Sequence, residues 1–143
     1  MNTSDWVVNN KFGVLHLISE LPVWLEVFIG LLLLDLIGAY TPHWLEHKLK
    51  PLWMIHLVHH SDHHVDTTTA NRHHPLESFI RFGFTLLGVF LVGTNIGIIM
   101  LYQSISLIST QFTHANIKLP KKIDLYLSYL FVSPDMHKTN LTG

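Results

Sequence analysis

The sequence predicts an all-α fold of multi-pass membrane helices arranged in hairpins, and three observations carry that expectation. Only 13% of the 143 residues are charged while 48% are hydrophobic, against roughly 25% charged in an ordinary soluble domain. Between Arg81 and Lys118 there is no Asp, Glu, Lys or Arg for 36 consecutive residues. One straight helix of that length would reach about 54 Å, against a hydrocarbon core of about 30 Å, so the run has to fold back on itself. The third observation is an earlier apolar segment, VWLEVFIGLLLLDLIGAY over residues 23–40, which approaches the length of a bilayer crossing.

In chain order, residues 1–20 read as a peripheral N-terminal segment and residues 21–143 as one membrane domain. The start, MNTSDWVVNNKF, has no basic stretch followed by an apolar run, so a cleaved signal peptide is not expected. Pro22 is placed to open a helix at its first turn. Within the segment that follows, Glu26 and Asp35 are expected to reach the interface or to face protein. Pro51 separates the next two histidine groups onto successive helices that meet at a turn. The uncharged run breaks at GTNIG, residues 93–97, which predicts a tight hairpin with helices over 78–92 and 96–113. Two buried helices of a soluble bundle are the competing reading of that pair.

Charge and composition exclude several function classes. The formal net charge is −1 and the isoelectric point about 6.9, which gives no basic field for a phosphate backbone, so nucleic acid is not an expected partner. There is no cysteine, so disulfides, thiolate metal sites and a cysteine nucleophile are ruled out. Eight of the nine Lys and Arg residues lie from position 48 onward, flanking the hydrophobic elements. If they share one side, the positive-inside rule makes that side cytoplasmic, and nearly all the histidines go with it.

The histidines then form a pattern. His43 and His47, in HWLEH, are four residues apart and share a helical face. His56, His59 and His60, in HLVHH, use spacings of three and four and converge in the same way. His73 and His74 precede Pro75, His114 closes the uncharged run, and His137 lies near the C-terminus, each returning to the same membrane side. A single structural or hydrolytic zinc takes three or four ligands, whereas five to eight imidazoles suffice for two metals. With nitrogen donors and no sulfur, two irons of an oxygen-activating centre fit, and zinc or manganese is not excluded by spacing. Glu46, Asp62, Glu77 and Asp135 are candidate carboxylates for orienting the rings, or else solvated surface charges. His63 and His64 read as solvent-facing or supporting residues beyond a helix end at Ser61 and Asp62, and His16 as incidental.

In this order the motifs resemble those of the fatty acid hydroxylase and sterol desaturase superfamily of membrane di-iron oxygenases. LLLLDLIGAYTPHWLEH resembles its membrane helix ending in HxxxH, PLWMIHLVHHSD its LWxxHxxHHS segment, and TTTANRHHPLE its RxHPxE segment. THANIKLP resembles its HxN element and FVSPDMHK the start of its last histidine box. The resemblance covers residues 20 to 139. It implies two membrane hairpins capped by a cytosolic, histidine-rich helical layer that holds two irons. By position the metal ligands would be His43, His47, His56, His59, His60 and His137, together with His74 and His114. It also implies O2-dependent hydroxylation or desaturation of a fatty acid or sterol-like lipid, with O2 as cosubstrate and electrons from a separate redox protein. The membrane would be the bacterial inner membrane or the endoplasmic reticulum.

The family's last box reads HxxHH, and here Asn140 and Leu141 stand where two further histidines are expected. That departure predicts a C-terminally incomplete member in which at least one metal is under-coordinated. An inactive remnant of the family and a zinc-dependent membrane hydrolase are the two alternative functions.

Overall fold

The computed structural model describes residues 3–18, 20–61, 67–115, 117 and 119–129. Among them the regular structure is entirely helical, and three helical runs are long and apolar enough to cross a membrane: Val23–Lys48, Pro75–Val92 and Ile96–Thr113. The chain opens with α1 (Thr3–Asn9) and a single 3-10 turn, Val14–Leu17. Pro22 sits immediately before α2 (Val23–Asp35), which continues through a π-helical turn (Leu36–Tyr40) into α3 (Thr41–Lys48). Pro42 has no N–H to return to the preceding turn. The helix absorbs that gap with one wider turn, in which the backbone N–H of Thr41 reaches Leu36 O and its hydroxyl donates to the same oxygen at 2.6 Å. The first hydrophobic unit is thus one continuous span where the resemblance implied a hairpin.

After an extended Leu49 comes α4 (Lys50–His60), with Pro51 in its first turn. The second unit is the hairpin expected from the uncharged run: α5 (Pro75–Val92) and α6 (Ile96–Thr113). Its turn follows from local chemistry. Gly93 takes the left-handed conformation, φ +78, that closes α5, and Asn95 caps α6 by accepting from Ile98 N at 3.2 Å. A short α7 (Lys121–Ser128) ends the described chain.

The packed core is small: Leu15, Leu34, Val89, Val92, Ile98 and Tyr102 join α2, α5, α6 and the first 3-10 turn. Gly88 lets Leu34 and Ile37 approach α5, and Gly38 brings its own backbone against Thr85. The outer faces of the spans are apolar as well. Trp24 is 70% exposed, Phe79 74% and Ile108 69%, which suits a lipid solvent and would be costly in water. Residues 3–18 pack at the hairpin turn, with Val7 and Leu15 buried, Trp6 against Phe90, and Gly13 in contact with Gly93. His16 lies there, exposed, at the opposite end of the helices from every other described histidine.

Candidate metal centre

At the other end, α3, α4, the start of α5 and the end of α6 converge. The extended Leu49 reverses the chain between α3 and α4, so the one-face spacing of His43 and His47 meets the one-face spacing of His56 and His60. The ring centroids of His43 and His47 are 4.7 Å apart, His43 and His56 5.0 Å, His47 and His56 5.1 Å, His47 and His60 5.1 Å, and His56 and His60 4.9 Å. Potential ligand atoms of His43, His47 and His56 lie within 4.8 Å of one another. Trp53 covers the group from α4, 5.1 Å from the His47 ring and 5.0 Å from that of His60.

Hydrogen bonding fixes which nitrogen His56 offers. Glu77 Oε1 accepts from His56 Nδ1 at 3.0 Å, which leaves the lone pair of the buried ring on Nε2. That Nε2, and the buried Nε2 of His60, have no hydrogen-bond partner among the described residues. A buried nitrogen left so is costly unless something binds it, which is the condition a metal ligand meets. At His43, Arg81 Nη2 donates to Nδ1 at 3.2 Å, while Glu46 Oε2 lies 3.6 Å from the same nitrogen, the alternative partner once that nitrogen carries the proton. Burial first, and then the neighbouring imidazoles of His56, His47 and His43, lower the pKa of His60 to about 4, so at neutral pH its ring is uncharged and able to coordinate.

A second group adjoins the first. His114, the C-cap of α6, donates from Nδ1 to Thr110 O at 2.8 Å, and its Nε2 faces His59 Nε2 at 3.3 Å. Two imidazoles on one ion with bonds of about 2.1 Å at a tetrahedral angle have nitrogens about 3.4 Å apart, so this pair already has the spacing of a shared metal. Burial lowers the pKa of His114, which favours the neutral ring. The His56 and His59 rings stack at 5.3 Å and join the two groups.

Beneath the rings lies a charged layer. Glu46 and Glu77 are each 1% exposed. Arg81 donates through Nη2 to Glu46 Oε2 at 2.6 Å and through Nε to Glu77 Oε1 at 3.1 Å. His73 Nδ1 lies 2.8 Å from the same Glu77 oxygen and its Nε2 lies 3.0 Å from Ala70 O, so either tautomer donates to an oxygen. With both nitrogens turned to oxygen acceptors, His73 is a donor in the layer, with its ring stacked on His59 at 4.9 Å.

Residues 27–139 match the sequence model of the fatty acid hydroxylase family. The chain belongs to that family. Comparisons with curated proteins and with solved structures gave no match. Fatty acid hydroxylase membership, with three apolar spans, marks an integral membrane protein and points to a lipid-modifying oxidoreductase.

Of the expected ligands of a fatty acid hydroxylase, the structure brings together His43, His47, His56, His59, His60 and His114. His74 is placed differently: exposed, it caps α5, with Nδ1 accepting from Leu76 N at 3.2 Å. His137, Asn140 and Leu141 lie outside the described residues, as do Asp62, His63, His64 and Asp135. Glu46 and Glu77 are buried supports of the rings. Arg81 was not foreseen at the site; its only local signal is the i, i+4 spacing to Glu77.

Proposed function

We propose that the chain is a lipid hydroxylase or desaturase that uses O2 at two histidine-held irons, with electrons delivered by a separate redox protein. His43, His47, His56 and His60 would hold one ion, and His59 and His114, joined by His137, the other. Bound iron would supply the reduction of O2 that breaking an unactivated C–H bond requires, chemistry no side chain here offers. The observation that carries the reading is the pair of buried Nε2 atoms on His56 and His60 with no hydrogen-bond partner among the described residues, on rings whose centroids lie 5.1 Å from that of His47 on another helix, with His56 held by Glu77.

The protein's own groups do the rest. Glu77 fixes the His56 tautomer, Thr110 O fixes that of His114, and Trp53 packs against the His47 and His60 rings. The apolar outer faces of α2, α5 and α6 let a lipid chain approach the centre from within the bilayer. Lys48, Lys50 and Arg72 flank the histidine end, which supports a cytoplasmic location for it.

The test is metal analysis of the purified, lipid-reconstituted chain together with a product assay on fatty acid and sterol-like lipids. Iron near two per chain, and product that requires both O2 and reductant, are expected. Stoichiometric zinc with turnover independent of O2 would establish a hydrolase, and a metal-free, inactive chain would establish a remnant.

A further inference from the structure

The geometry points to Arg81 as the positioning residue that makes this centre an imidazole site and excludes its two buried carboxylates from metal coordination. The inference rests on the metal-binding part of the proposed function.

Ligand atoms of Glu46, His56 and Glu77 lie within 4.8 Å of one another, all three residues buried. Two buried carboxylates beside an imidazole are themselves a cation site, of the oxygen-rich kind that suits manganese, magnesium or calcium. Arg81 fills that role with a fixed cation. Its Nη2 reaches Glu46 Oε2 and its Nε reaches Glu77 Oε1, so one rigid guanidinium spans carboxylates contributed by α3 and α5. A guanidinium stays charged at any working pH and its donors lie in one plane, so it offsets part of the charge of the two carboxylates and fixes the position of one oxygen of each. Held this way, Glu77 accepts a hydrogen bond from His56 Nδ1, which leaves the lone pair of His56 on Nε2, in a ring that neighbours those of His47 and His60.

Remove the guanidinium and the logic inverts. Glu46 loses its hydrogen-bonded cation and Glu77 is left with the His56 and His73 rings alone, and a metal ion becomes the nearest cation able to replace the guanidinium. The centre then gains oxygen donors and loses the carboxylate that held His56.

The experiment uses the full chain in lipid nanodiscs with Co(II) and Mn(II) as probe metals, read by binding titration and X-ray absorption of the bound ion. Wild type is expected to show mainly nitrogen donors. Arg81→Gln should weaken Co(II) binding about 10- to 100-fold, the usual cost of losing an outer partner of a ligand, and should add oxygen donors and tighter Mn(II) binding. Arg81→Lys, which keeps the charge and loses the planar fork, should fall between. If Arg81→Gln does not fold, judged by helicity and monodispersity, the double variant Glu46→Gln/Arg81→Gln removes one buried charge with the other and should fold with weakened Co(II) binding. A folded variant, single or double, with wild-type Co(II) affinity and donor set would overturn the proposal and leave Arg81 a structural ion pair. Because these readouts do not involve turnover, a wild-type chain that binds Co(II) and oxidises no lipid refutes the functional reading while the Arg81 variants still decide the role of the guanidinium.

Discussion

His73 and His74 are neighbours in the sequence and perform different tasks. His73 sets its ring nitrogens against Glu77 Oε1 and Ala70 O, whereas His74 accepts from the backbone at the start of α5, which places its own proton on the far nitrogen. Asparagine is a good helix cap and has no imidazole, so His74→Asn should keep the full metal content, while His56→Ala should lose most of it; elemental analysis of the two purified variants checks both, and metal loss in His74→Asn would make that ring a ligand. His60 sets a pH dependence. Its folded pKa of about 4 lies below the ordinary 6.5, so as the pH falls the unfolded chain takes up the proton first. The stability of the metal-free protein should therefore be whole above pH 6.5 and decline from there toward pH 4, seen as a falling midpoint of thermal unfolding in detergent, and His60→Gln should flatten that decline. The spacings within HWLEH and HLVHH made the shared faces legible in the sequence, because they depend only on helical period. Glu46 and Glu77 were legible as candidate supports of the rings, but their pairings were not: Glu77 meets His56 across 21 residues and Arg81 meets Glu46 across 35, which only the packing of α5 on α3 and α4 decides.

The α5–α6 hairpin shows how far a local signal reaches. GTNIG marks its break, and the observed ends, Val92 and Ile96, coincide with those expected, because the αL closure at Gly93 and the Asn95 cap are both written in the residues that perform them. The π-helical turn was not readable in this way. Pro42 signals a disturbed helix, but whether the chain breaks, kinks or widens depends on the packing of Ile37 and Gly38 against α5. Gly93 carries a second demand, since a methyl group there would run into Phe12 O in addition to the positive φ. Gly93→Ala is expected to cost at least about 1–2 kcal/mol from the left-handed conformation alone, seen as a lower unfolding midpoint. Gly83→Ala is the matched control within the same helix: a Cβ there meets nothing within 4 Å, and alanine is the better helix former, so its midpoint should stay level or rise. Equal losses at the two sites would contradict the contact between the hairpin turn and the N-terminal segment.

At the scale of the whole molecule, the three candidate spans among the described residues predict that α1 and the histidine cluster lie on opposite sides of the membrane. Val23–Lys48 runs from the end where α1 and the hairpin turn meet to the end where His43 and His47 lie, and α5 and α6 go out to that turn and back. Charge then predicts the orientation. Lys11 belongs to the α1 end, whereas Lys48, Lys50 and Arg72 flank the histidine end, and Lys121 and Lys122 open the helix that follows α6, so the positive-inside rule predicts a cytoplasmic histidine end. The absence of any native cysteine makes the test direct. Asn9→Cys and Lys50→Cys replace exposed residues at the two ends. In intact bacterial cells a membrane-impermeant maleimide should label the Asn9→Cys variant and spare the Lys50→Cys variant until the cells are lysed. Labelling of both in intact cells, or of neither, would refute a three-span crossing, and the reverse order would place the centre on the outer side, away from cytoplasmic reductant.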